Sequence, residues 1–153
     1  SPSPYGLSFV LLALSTMMGG LTSKRLHSRY NSHDIMEHGL IIICLATVAF
    51  SIFAFLHHKL FLNSHVMIGI TIVMQMLIMF GICMATSNAL AMALVDYKWC
   101  IGTASSLFGF FYYCVISLFT FGMGVLHNGT TLPMPLYFLG ISLFMIFLKK
   151  WIR

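Results

Sequence analysis

The chain has 153 residues, of which 59% are hydrophobic and only 7% charged. A soluble domain carries about 25% charged residues, so lipid rather than water must surround most of this protein. The net charge of +5 is too thinly spread for a nucleic-acid groove, no basic stripe interleaved with aromatics occurs, and the positive charge is read as a signal of membrane topology.

The chain opens SPSPYGLSF, without Met and without the basic segment that leads a signal peptide. It is read as a fragment or a processed product. A membrane span needs about 20 mostly apolar residues. Five segments meet or approach this, at 5–22, 36–56, 66–95, 101–126 and 132–148. The runs are continuous rather than alternating, and backbone groups in lipid must be satisfied within the segment, so all five are predicted helices. The expected fold class is all-α: a polytopic transmembrane helical bundle of five spans, forming one domain over 1–153.

The first segment carries Ser8, Ser15, Gly19 and Ser23 at steps near a helical period. The second is bulky, with Phe50, Phe53 and Phe55. Its entrance, HDIMEH, sets His33 four residues before Glu37 and Asp34 four before His38. That spacing suits a solvated membrane-surface segment and, less well, a metal pair. His57, His58 and His65 fall in the next loop and read the same way.

The third segment is longer than a span requires and is expected to tilt, bend near Gly81 or extend beyond the bilayer. It carries Thr71, Gln75, Thr86, Ser87 and Asn88. Thr71 and Gln75 lie one turn apart on one face. Gln75 either bonds a neighbouring helix or faces a substrate cavity, whereas Asn88 suits local capping or interhelical bonding. Met74, Met76 and Met79, like Tyr112 and Tyr113, suit ordinary packing or a surface that re-packs around apolar molecules.

The fourth segment spaces Gly102, Ser106, Gly109, Tyr113, Ser117, Thr120 and Gly124 by three or four, in one stripe. Small residues let helix backbones approach closely in lipid. The stripe is a packing face or partly lines a cavity. The fifth segment has Pro133 and Pro135 near its entrance, as suits a helix start.

Lys24, Arg25, Arg29, Lys98, Lys149, Lys150 and Arg153 fall on one side of such a bundle, and only Lys59 on the other. The positive-inside rule makes the first side cytoplasmic. The N-terminus is then outside and the C-terminus inside. The segments read small, bulky; then polar, small, bulky. One helix in front would complete two sets of three, the unit of many secondary transporters. No acid, Lys or Arg lies mid-membrane, and such groups mark proton relays, so the proton step is expected elsewhere. Cys44, Cys83, Cys100 and Cys114 are dispersed without a CxxC and read as small apolar residues. No cofactor or metal is expected. Without a nucleophile–His–acid set or a phosphate loop, no enzyme is expected either. The NGT at Asn128 matches a glycosylation acceptor but sits in a very short loop.

The stretch SNALAMALVDYKWCIGTASSLFGFFYY, residues 87–113, resembles the tenth-to-eleventh helix junction of the Bcr/CflA drug-efflux group of the major facilitator superfamily. The matching residues are Asn88 and Ala89, then Leu90 to Leu94, then Gly102, Thr103, Ala104 and Ser105. YGLSFVLLALSTMMGGLTSKRL is similar to the group's eighth helix and the basic loop after it. Ser87 stands where the family often has Pro, and GGLTSKRLHSRY has no acid before Asp34.

The resemblance implies the C-terminal half of a major facilitator fold lacking its first helix. It also implies antiport of a small organic substrate against protons, in the bacterial inner membrane. The partners would be the lipid bilayer and the missing N-terminal transporter helices or a parent-chain half. Thr71, Gln75, Met79 and Tyr113 are the candidate cavity-lining residues. Gly102, Ser106, Gly109, Ser117 and Gly124 are the candidate packing residues. The third and fourth helices are expected to line the site, and the second and fifth to face lipid. The rival readings are a non-transporting membrane subunit and a small membrane enzyme.

Overall fold

In the computed structural model the described residues are 2–60, 64–126 and 133–152. They form five helices: α1 (Pro2–Leu26), α2 (Ser32–Leu60), α3 (Ser64–Leu94), α4 (Ile101–Leu126) and α5 (Pro133–Ile152). The side chains of His57, His58, Lys59, His65, Lys149 and Lys150, together with Arg153 and the loop holding Asn128, lie outside the described residues. Two continuous helical stretches, Ser32–Leu56 and Ile68–Leu126, are long and apolar enough to cross a membrane. Pro133–Leu148 is a shorter apolar helix.

The 59-residue stretch Ile68–Leu126 cannot be a single span. At about 1.5 Å per residue it would run roughly 90 Å, about three times the hydrocarbon thickness. The chain solves this at Val95–Cys100, a 3-10 turn in which Tyr97 leaves helical geometry at φ −106°, ψ 27°. Asp96, Lys98 and Trp99 sit on this turn, and Trp99 is 86% exposed. Charge and an amphipathic indole belong at the membrane–water interface. At Gly81, where a bend was one of three ways expected to accommodate its length, α3 stays one continuous helix.

Helix α3 is the centre of the bundle, packed on α1 at one side and α2 at the other, with α5 beyond α2. The reason lies in small residues at helical spacing. On α1, Ser15, Gly19 and Ser23 are buried at steps of four. A Cβ at Gly19 would stand 2.6 Å from the Phe80 carbonyl oxygen, so only glycine lets the two backbones meet there. On α2, Gly39 and Ile43 lie against Gly81 and Ala85 of α3. One turn further along, Ala46 and Phe50 cluster with Ile78, flanked by Met74 and Ile82. Lipid tails are as apolar as these side chains, so close van der Waals packing holds such contacts, not exclusion from water.

Helix α2 was expected to face lipid; instead it supplies Ile35, Ile43, Ala46, Thr47, Phe50 and Ala54 to the buried core. Its bulk divides by face, because Phe50 turns inward while Phe53 and Phe55 are exposed.

The paired residues also fix directions. Ser15, Gly19 and Ser23 meet Met76, Phe80 and Asn88 in rising order, so α1 and α3 are parallel. Thr47 meets Ser142 and Ser51 meets Pro135, so α2 and α5 are antiparallel. The same reading makes α2 antiparallel to α3 and α4 antiparallel to α5. Lys24, Arg25, Arg29, Asp96 and Lys98 therefore gather at one end of the bundle.

Candidate functional site

Polar side chains inside the bundle divide into two structural seams and one further row along α3. The first seam joins α1 to α3. Asn88, 1% exposed, donates from Nδ2 to Ser23 Oγ at 2.8 Å and to the Met84 carbonyl at 2.7 Å. Ser15 Oγ donates to the Met76 carbonyl. Of the local and interhelical roles expected of Asn88 it makes a bond of each kind, and its Oδ1 accepts no hydrogen bond. The second seam joins α2 to α5. Thr47 and Ser142, both buried, share one 3.2 Å hydroxyl–hydroxyl hydrogen bond, and the Ser51 hydroxyl, 2.8 Å from the Thr47 carbonyl of its own helix, also reaches the Pro135 carbonyl at 3.2 Å. Hydroxyls in lipid need such partners, since no water competes.

The remaining row belongs to α3 and is part-buried. Gln75, Met79, Ile82 and Thr86 follow at steps of four, three and four, hence on one side of the helix. Thr71, one turn before Gln75, is part-buried, as are Gln75 and Met79. Gln75 Oε1 is enclosed and accepts no hydrogen bond. An unpaired enclosed acceptor costs about 1–3 kcal/mol, which makes Gln75 a poor choice for packing alone.

At the Thr86 end this face opens into a cleft of about 210 Å³ where four helices converge. Met36 and Leu40 come from α2, Ala85, Thr86 and Ala89 from α3, Phe108 and Tyr112 from α4, and Met145 from α5. The Phe108 and Tyr112 rings are stacked, 6.2 Å apart at 12°. Aromatic faces and Met side chains here surround only two hydroxyls, those of Thr86 and Tyr112. Such a lining can hold a flat apolar compound and offer it one or two hydrogen bonds.

The structure separates the residues expected from sequence. Thr71, Gln75 and Met79 lie along α3 before the cleft. Tyr112 lines the cleft, whereas Tyr113 does not and is 68% exposed. A stripe drawn at helical spacing through α4 takes in Tyr113, and its neighbour is the one that faces the other helices.

Gly102, Ser106, Ser117 and Gly124 are exposed and Gly109 is part-buried. A Cβ at Gly102, Gly109 or Gly124 would meet nothing within 4 Å. At these three glycines the stripe therefore has no close partner among the described residues. The glycine of α4 that does receive a neighbour is Gly122, under the Tyr137 hydroxyl.

Of the close contacts that hold the bundle, Gly39 with Gly81 and Gly19 with the Phe80 backbone, the sequence reading named Gly19 in a small-residue series and Gly81 as a bend, and paired neither with its neighbour. Their signal was present: Ser15-x-x-x-Gly19-x-x-x-Ser23 and Gly81-x-x-x-Ala85 are small residues at steps of four.

At the charged end, His33 Nδ1 lies 3.8 Å from Glu37, and the Tyr30 ring lies 5.8 Å from His38. No group of three potential metal ligands converges among the described residues.

No family model matches the chain, and no solved structure matches it. It is similar to an uncharacterized transporter of Rickettsia felis, 30% identical over 156 residues, covering 99% of this chain and 38% of the relative. It is also similar to an uncharacterized transporter of Rickettsia bellii, 30% identical over 144 residues, covering 93% of this chain and 36% of the relative. The chain spans little more than a third of the length of these curated relatives. Its apolar helices and this likeness together support a membrane protein.

Proposed function

We propose that the chain is the distal part of a proton-coupled efflux transporter of the Bcr/CflA type, within the major facilitator superfamily. Two helical halves rock about a midplane site and expel a small organic compound in exchange for protons. The observation that carries this reading is the likeness to transporters along nearly the whole chain. The helix directions support it, because they gather the basic residues of alternate loops at one end. That end is the cytoplasmic one in a bacterial inner membrane, with the N-terminus periplasmic and the C-terminus cytoplasmic. The five helices are five spans of one transporter half.

The substrate lies along the Thr71–Gln75–Met79 face of α3 and reaches the aromatic cleft of Phe108 and Tyr112. The acids that couple protons belong to helices outside this chain. Asp34, Glu37 and Asp96 lie at helix starts or in the turn between helices, and charged groups that relay protons work inside the membrane. The open small-residue stripe of α4 is where those other helices pack.

The test is an efflux screen in pump-deficient cells making the longer transporter that contains this chain. Active extrusion of at least one compound, abolished when the proton gradient is collapsed, is the expected result. Efflux that survives the collapse overturns the coupling, and an absence of efflux across a broad panel overturns the reading.

A further inference from the structure

Helix α4 is held differently from the other four helices. None of its residues is buried. Its start hangs from the 3-10 turn Val95–Cys100 that folds the chain back from α3, where Tyr97 leaves helical geometry; such short 3-10 pieces serve as connectors between helices. An open cleft of about 460 Å³ separates Ala93 and Leu94, at the end of α3, from Leu107 and Phe111 of α4. Among the described residues, a hydrogen bond from one side chain of α5 fastens the far half of α4. Tyr137 donates a 2.7 Å hydrogen bond to the Phe119 carbonyl, and its ring stands edge-on to that of Phe119 at 6.5 Å. Gly122 forms the notch: a Cβ there would lie 2.9 Å from the Tyr137 hydroxyl. Apolar spaces of about 670 and 360 Å³ flank Tyr137, so α4 and α5 are not packed along their length. By contrast α5 is tied to α2 by the Thr47–Ser142 and Ser51–Pro135 hydrogen bonds.

We propose that Tyr137 is a releasable clasp on a swinging helix. Helix α4 turns about Val95–Cys100, and the Tyr137 hydroxyl, seated in the Gly122 notch on the Phe119 carbonyl, holds it closed against α5. The Phe119 carbonyl lies inside α4, where a helical N–H also serves it. Opening therefore strands one hydroxyl and no backbone group, so the closed state is favoured only modestly. Because Phe108 and Tyr112 ride on α4, the swing widens or narrows the cleft they share with α2 and α3. The proposal concerns the motion of the fold and does not rest on the transport reading.

The test is a pair of spin-label distances on the intact protein in lipid vesicles, with the native cysteines replaced. One pair, at the exposed positions Leu118 and Leu136, spans α4 and α5; the other, at the exposed positions Leu45 and Leu143, spans α2 and α5. Tyr137→Phe keeps the ring and loses the hydroxyl. It should move the closed-to-open ratio of the first pair about three- to fifteenfold toward open, the range for one interhelical hydrogen bond in a membrane. Gly122→Ala should do the same, because its methyl group displaces the hydroxyl. The second pair should not change in either variant. An unchanged Leu118–Leu136 distribution in Tyr137→Phe overturns the clasp. A change in both pairs also overturns it, since Tyr137 would then hold the bundle as a whole. If Gly122→Ala does not fold, Tyr137→Phe decides alone.

Discussion

Gly39 and Gly81 meet backbone to backbone: a Cβ built on either would stand 2.9 Å from the carbonyl oxygen of the other. At Gly39 the Ala85 backbone nitrogen is equally close. Backbone atoms cannot turn aside as a flexible side chain can, so Gly39→Ala or Gly81→Ala forces α2 and α3 apart. Each should lower stability by about 1–3 kcal/mol, the usual cost of overpacking. Detergent-titrated unfolding followed by circular dichroism measures this, and a loss below about 0.5 kcal/mol in both variants would show that the crossing is looser than the geometry implies.

Gly109 is the contrasting case. A Cβ there meets nothing within 4 Å among the described residues, so Gly109→Ala should not destabilise this chain by more than about 0.5 kcal/mol, and Gly109→Leu should cost far less than a change at Gly39. In the longer transporter, where other helices are proposed to cover the α4 stripe, the same substitution should reduce folded yield. Comparing the two contexts side by side separates a stripe that receives helices from one that faces lipid.

The Asn88–Ser23 hydrogen bond should be measurable as a coupling. Ser23→Ala and Asn88→Ala are each expected to destabilise the α1–α3 seam. The double variant should cost less than their sum, by about 0.5–1.5 kcal/mol, the range for buried interhelical hydrogen bonds in membranes. Strict additivity in the cycle would mean that Asn88 acts through the Met84 carbonyl of its own helix instead.

Hydroxyls of one residue type should behave oppositely according to where they bond. Thr47, buried, bonds Ser142 across helices as well as Cys44 on its own helix. Thr16, exposed, bonds Leu12 of its own helix. Thr47→Val should cost about 1 kcal/mol, and Thr16→Val less than about 0.5 kcal/mol. Equal effects, read by thermal unfolding in detergent, would remove the α2–α5 seam from the account of stability.

For function, Gln75→Ala in the longer transporter should cut efflux at least about tenfold while membrane expression holds, since its enclosed acceptor has no structural partner to lose. Tyr112→Ala should lower efflux more than Tyr113→Ala does. Full efflux in Gln75→Ala would take that residue out of the substrate path.

The five helical segments were legible because each is a continuous apolar run closed by charges, turn residues or prolines. Their observed ends fall within about four residues of those expected. The interfaces were harder to read. Helical spacing through Gly102, Ser106 and Gly109 marks a face but carries no information on what stands opposite, and here nothing within the described residues does. Tyr112 and Tyr113 are adjacent and chemically alike. A helix turns about 100° between them, so only the direction in which α4 leaves Tyr97 decides which ring enters the cleft.

By itself, then, the sequence determined an all-helical chain in an apolar solvent, the fold-back at Asp96 and Lys98, and the clustering of basic loops at one end. Those follow from solvation, which acts on each segment wherever its neighbours lie. The tertiary structure alone decided that α3 is the hub, that one face of α2 joins the core while the other stays exposed, and that Tyr137 rather than the small stripe touches α4 from α5. In lipid every apolar helix is equally well solvated, so hydrophobicity cannot choose partners. The choice rests on whether two particular backbones, such as those at Gly39 and Gly81, can come close enough to touch.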